Sequence, residues 1–177
     1  MFRAHLLPEE DSTMVVHKVE VVQAVPVSST ALIKGALAGL AGGIAGTTAK
    51  VMCEQVVPPW IDQTPPQVLL AERAAGRRFD PVGRKVAMQT IHWSFGVIAG
   101  AAYGAVVEAR PRAAAWHGLA FGLALNRLAQ ENLMPEAELV PPADRQPMQE
   151  RVSQWLSHAV YGLVAETVRR RVRAGIE

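Results

Sequence analysis

Six ionisable side chains stand in stretches that are otherwise apolar. Lys50 is followed at four-residue intervals by Glu54 and Pro58, and Arg127 by Glu131 and Pro135. His92 and His158 lie near the starts of two further apolar runs. Residues four apart share one face of a helix, so Lys50 can neutralise Glu54, and Arg127 can neutralise Glu131, within a single helix. At 1.5 Å of rise per residue, Lys50 and Arg127 lie about 12 Å before their prolines, Glu54 and Glu131 about 6 Å, and the two histidines about 9 Å after their helix starts. Successive antiparallel helices would bring all six to one layer. Isolated in lipid, each charge costs several kcal/mol, so such groups are expected to face one another or a wet cavity. Imidazole, carboxylate and amine in apolar surroundings titrate near neutrality and are the usual material of proton relays. The competing reading is snorkelling to the interface, which suits Glu54 and Glu131 better than Lys50 and Arg127.

The elements that must position these residues follow from where charge is missing. No Asp, Glu, Lys or Arg occurs in 35–49, 86–107, 113–126 or 152–165. A membrane span needs about 20 mostly apolar residues; the second stretch meets this outright, and the others do so by accepting one or two charges near an end. Helices are expected over 29–57, 86–109, 113–134 and 148–174, bounded by Ser28-Ser29-Thr30, Pro58-Pro59, Pro111 and Pro135. Residues 1–29 form a polar N-terminal segment, in which the Val-rich stretch 14–25 reads equally as a strand or a surface segment. A short amphipathic helix is expected over 67–75. The fold class is therefore all-α, an integral membrane four-helix bundle occupying 30–177. A soluble bundle is the competing reading, but each glycine inside a soluble helix costs about 1 kcal/mol relative to alanine, whereas in lipid small residues let helices approach closely.

Glycine is also where the pattern is most regular. One helix reads His92, Gly96, Gly100, Gly104, Glu108; another reads His158, Gly162, Glu166; a third reads Gly42, Gly46, Lys50, Glu54. Gly96, Gly100, Gly104 and Gly162 are expected to pack against neighbouring helices. Tyr103-Gly104-x3-Glu108 recurs as Tyr161-Gly162-x3-Glu166, beside the recurring Lys/Arg-x3-Glu-x3-Pro. The chain thus reads as two copies of one helical hairpin, a parallel repeat about an axis near the membrane normal. Four spans put both termini on one side, with Lys34, Arg110, Arg112 and Arg169, Arg170, Arg171 and Arg173 close to membrane ends; that bias places both termini in the cytoplasm.

Other classes recede. A formal net charge of +2 gives no reason to expect a nucleic-acid partner. The single cysteine, Cys53, excludes an intrachain disulfide and any multi-cysteine metal motif. No HExxH, ExxH or cysteine-based metal motif occurs, and no Ser-His-Asp arrangement can be argued from spacing, so neither an enzyme, a metal nor a cofactor is expected. The first 30 residues lack a continuous apolar core, so no cleavable signal peptide is expected and the first helix would serve as the targeting signal. Expected partners are the lipid bilayer and either further copies of the chain or other membrane proteins.

The combination resembles the YagU-like bacterial inner-membrane proteins, an uncharacterised family. The resemblance runs from helix 1 to the C-terminus on Lys50-x3-Glu54 before Pro58-Pro59, His92 with Tyr103 and Glu108 before Pro111, Trp116-x-Gly118-x3-Gly122, His158-x7-Glu166 and Arg169-Arg170-x2-Arg173. It implies a multi-span bacterial inner-membrane protein linked to acid tolerance, and it supplies no biochemical activity. Two functions are then expected to compete. One is a pH-responsive conduit for protons or a small solute, loosened when protonated histidines add charge beside Lys50 and Arg127. The other is a structural or assembly subunit that packs its glycine faces on partner membrane proteins.

Overall fold

A computed structural model describes residues 27–59 and 63–176, so the stretch 14–25 lies outside the described residues. Ser28 accepts a hydrogen bond from the Ala31 N–H at 3.1 Å and opens α1 (Ser29–Val56); Pro58 and Pro59 then prevent its continuation. A short helix α2 (Pro66–Ala75) ends at Gly76, which takes the left-handed φ of 62° that a glycine adopts without strain. α3 (Pro81–Ala109) begins at Pro81 rather than near Val86. The reason is a local signal: the Asp80 carboxylate accepts from the Gly83 N–H at 2.8 Å, and Pro81 sits in the first turn, where its missing N–H costs nothing.

The next expected helix, 113–134, is corrected at both ends. Residues Pro111–Gly118 form a tight 3₁₀-like connection in which Ala115 is extended and Trp116, His117 and Gly118 take φ of 52°, 54° and 85°. Regular helix α4 starts only afterwards (Leu119–Leu128). The reversal sets Gly118 directly on the last helix, where a Cβ would lie 2.5 Å from the Glu166 Cβ. Nor does Pro135 stop this helix. The chain widens into a π-helical stretch (Ala129–Leu133), with the Met134 N–H donating to the Ala129 carbonyl, and adds a last turn (Met134–Glu136). A proline in unbroken α-helix would clash with the carbonyl four residues back; the π-turn shifts the register there. The last helix, α5, is Met148–Gly175. The fold is all-helical, with no strand among the described residues.

α1 lies between α3 and α5, antiparallel to both, and α4 packs on α5. Its buried residues are small or polar, among them Gly35, Ala38, Gly39, Gly43, Thr47 and Lys50. Its exposed residues include Ile33, Leu37, Ile44, Met52 and Val56. α3 repeats the inversion, burying Gly96, Gly100 and Gly104 and exposing Val86, Phe95, Ile98 and Val106. A helix in water would turn its large apolar side chains inward. By length and composition, α1 and α3 are the two described helices able to cross a membrane.

Candidate functional site

Close approach of backbones creates the site. A Cβ added to Gly100 would lie 2.5 Å from the Gly43 Cα and 2.6 Å from the Gly39 carbonyl oxygen; one on Gly104 would lie 2.8 Å from the Gly39 Cα. At Gly162 it would lie 2.8 Å from the Gly122 N. Gly96 faces the hydroxyl of Thr47, which donates back to the Gly43 carbonyl at 2.8 Å. With these pairs in contact, the side chains on the same faces, one turn further along, are forced together.

At the Pro58 end, Lys50 is buried and its Nζ donates to Glu54. The Ser157 hydroxyl, from α5, donates to the same Glu54 oxygen at 3.3 Å. His158 is only 4% exposed, with Nδ1 2.8 Å from the Gln154 carbonyl. A carbonyl can only accept, so Nδ1 carries the proton and Nε2 offers a lone pair. His92 comes from α3, and its buried Nε2 has no partner among the described residues. Lys50 acts electrostatically on both imidazoles, Glu54 on His92, and His92 on His158. Lys50, Glu54, His92 and His158 therefore converge from three helices. Side chains of α5 also close the end of α1: Ser153 donates to the Val57 carbonyl at 2.6 Å and Gln149 to that of Pro58 at 3.1 Å, satisfying carbonyls that a helix end leaves open.

Arg127 and Glu131 do not join them, which corrects the single six-membered layer. The Arg127 side chain is 70% exposed and pairs with Glu131 at 2.8 Å. Glu131 is buried at its side chain and accepts from the Trp155 indole N–H at 2.8 Å. The long guanidinium stem reaches the outside, and the neighbouring Asn126, 1% exposed, takes the buried position instead.

A second polar cluster, at the other end, is one that residue spacing alone does not single out. Arg169 donates through Nε and Nη2 to the two oxygens of Glu166, at 2.6 and 2.8 Å, and the Tyr103 hydroxyl donates to Glu166 at 2.9 Å. Glu166 is 2% exposed and Arg169 7%. One turn on, Arg173 donates to Glu108 at 2.8 Å. The sequence carried the signal in the three-residue spacing of Glu166 and Arg169, but these arginines read as a basic membrane flank. Between the two clusters, the buried Tyr161 hydroxyl donates to the Gly96 carbonyl at 2.6 Å. Phe121 stacks on Tyr103, with centroids 4.0 Å apart, and tilts against Tyr161 at 5.9 Å.

The arrangement holds a buried ion pair at each end of the bundle, with imidazoles beside one, a phenol beside the other and an aromatic plug between. No group of three or more His, Cys, Asp or Glu converges to hold a metal among the described residues. A family model described as "protein of unknown function (DUF1440)" matches residues 44–167. No curated protein and no solved structure matches the chain.

Proposed function

The chain belongs to the DUF1440 family of unknown function, the YagU-type family, and from that premise we propose that it is a bacterial inner-membrane protein acting as a pH-responsive proton conduit. In this reading all four long helical segments cross the bilayer and both termini are cytoplasmic. α1–α3 and α4–α5 are the two repeated hairpins: Gly104 meets Gly35 and Gly39 much as Gly162 meets Gly118 and Gly122.

One observation carries the proposal. Lys50 and Glu54 lie inside α1, whose exposed face is apolar, and Glu166 and Arg169 are buried where α5 packs against it. Removing such ions from water costs several kcal/mol each even in soluble proteins, and the glycine contacts would pack the helices without them. Intramembrane ionisable groups of this kind mark ion and proton pathways. The backbones of α1 and α3, and of α4 and α5, touch at glycine, which favours a proton passed between fixed groups over a solute that needs a cavity. The chain acts through its own side chains, without enzymatic chemistry. Four helices are few for a pathway, so the working form is a homo-oligomer. An assembly subunit would offer its glycine faces to partners, but here those faces are occupied within the chain.

The pH response follows from counting charge at the Lys50 end. Lys50 and Glu54 balance, and Ser157, Gln154 and Cys53 are neutral. Protonating His92 and His158 adds two positive charges with only Glu54 to offset three. Acid therefore loosens this end. Cys53, in α1 beside Lys50, reports it: its reactivity toward a thiol reagent, corrected for thiolate fraction, should rise between about pH 7.5 and about pH 5, values either side of the ordinary pKa of a free imidazole. The rise should vanish when His92→Ala and His158→Ala are combined. Equal reactivity at both pH values in the unaltered chain refutes the proposal.

A further inference from the structure

At the opposite end, the connection Pro111–Gly118, the end of α3 and the C-terminal half of α5 border an open groove of about 440 Å³, lined by Val107, Trp116, His117, Glu166, Arg169 and Arg170 among others. Its size falls within the ~300–1,000 Å³ of small-ligand sites. Trp116 and His117 are consecutive, both carry a β-carbon, and both are held in the left-handed region. Residues rarely stay there unless the surroundings demand it, and such residues cluster at ligand sites. The result is an indole 72% exposed at the pocket rim, at the end of an apolar bundle, where tryptophan meets lipid head groups.

The floor is charged and incompletely used. Arg169, its side chain 8% exposed, engages Glu166 through Nε and Nη2, and its Nη1 makes no hydrogen bond among the described residues. Glu166 is already neutralised by that fork and bonded by Tyr103. Arg170 lines the pocket, is exposed and has no ion pair among the described residues; Arg110 and Arg112, outside the lining but adjoining Pro111 in sequence, are likewise exposed and without an ion pair among the described residues. The pocket is thus cationic with an aromatic rim. An arginine fork favours phosphate oxygens.

We infer that this pocket binds the phosphate head group of an anionic phospholipid, with Arg169 and Arg170 on the phosphate and Trp116 at the glycerol level. The inference rests on the membrane reading above. It is tested on the full chain purified in detergent, by native mass spectrometry with short-chain phosphatidylglycerol, phosphatidylcholine and inorganic phosphate as separate probes. Phosphatidylglycerol should bind in preference to phosphatidylcholine, and inorganic phosphate should not displace it. Arg170→Gln, which removes no ion pair of the fold, should weaken that binding about fivefold, the contribution of one basic residue at an anionic surface. Equal binding of the two lipids, displacement by inorganic phosphate, or unchanged affinity in Arg170→Gln each overturns the lipid site. If the chain purifies without detergent, the membrane reading has failed and this inference fails with it; detergent-dependent extraction with no lipid preference defeats this inference alone.

Discussion

Gly100→Ala sets two effects of opposite sign against each other. Intrinsic helix propensity favours the alanine by up to about 1 kcal/mol. Packing opposes it, because the new methyl would lie 2.5 Å from the Gly43 Cα, 2.6 Å from the Gly39 oxygen and 2.7 Å from the Gly43 N. All three atoms are backbone, so no side chain can swing away, and α1 and α3 must part by about 1 Å to restore ordinary van der Waals distances. Overpacking of this kind typically costs 1–3 kcal/mol, and parting the helices also disturbs the Gly96 carbonyl that holds the Tyr161 hydroxyl. Packing should win, by about 1–2 kcal/mol net. Thermal unfolding of the purified chain in one detergent would show a lowered midpoint for Gly100→Ala and a larger drop for Gly100→Leu. Gly175→Ala, where an added Cβ meets nothing within 4 Å, should leave the midpoint unchanged. A midpoint for Gly100→Ala at or above that of the unaltered chain would mean that propensity governs and the helices are not in backbone contact.

Other perturbations separate the remaining contributions. Glu166→Gln leaves the Arg169 cation without its carboxylate, and breaking a buried pair costs about 3–5 kcal/mol; Tyr103→Phe removes one hydrogen bond to a charged group, about 1.5–3 kcal/mol. Unfolding measurements should rank Glu166→Gln as the more damaging, and the reverse order would show that the ion pair is not the core of that cluster. The Phe79 backbone N–H, and after it Arg84, hold the Glu72 carboxyl below its ordinary value of 4.5 despite the opposing effect of desolvation. A depressed folded value means this contribution is complete above about pH 4.5 and is lost as pH falls through the folded value. Limited proteolysis at the junction of α2 and α3 should therefore accelerate only in that acid range, and Glu72→Gln should already be fast at neutral pH; equal rates for the two proteins at neutral pH would contradict this. Arg73 donates to the Ala137 and Glu138 carbonyls at 2.6 and 3.1 Å, fastening α2 to the end of the α4 segment. Arg73→Ala should raise hydrogen exchange at 137–141 with little change at 119–128.

Much of this architecture is legible in the residues. Ser28, Pro58 and the charge-free runs bound the long helices because caps and prolines act locally. The four-residue glycine spacing identifies the contact faces, since that spacing is a property of the helix itself. Lys50 and Glu54 pair as their spacing requires. What stays hidden is non-local. Nothing around Arg127 distinguishes it from Lys50; only the packing of α4 on α5 decides that Asn126 goes in and Arg127 out. The left-handed Trp116 and His117 exist because the chain must reverse and place Gly118 on Gly162, a demand set by α5 far along the sequence. The Glu166–Arg169 pair was obscured because arginines near a span's end usually flank it, and only tertiary contact with Tyr103 reveals that this one is inside. The early start of α3 is a local signal, the ordinary cap Asp80-Pro81, masked by the charges that precede the apolar run.

In the proposed function, protons move through this bundle under control of the His92–His158–Lys50 end. The full chain is reconstituted in liposomes that enclose a pH-sensitive dye, and proton entry is followed as the outside is acidified stepwise from neutral pH. Entry should exceed that of empty liposomes and steepen with acidification, and combining His92→Ala with His158→Ala should flatten the dependence on pH. Proton entry equal to that of empty liposomes at every pH, with the protein shown to be inserted and folded, would rule out a proton conduit.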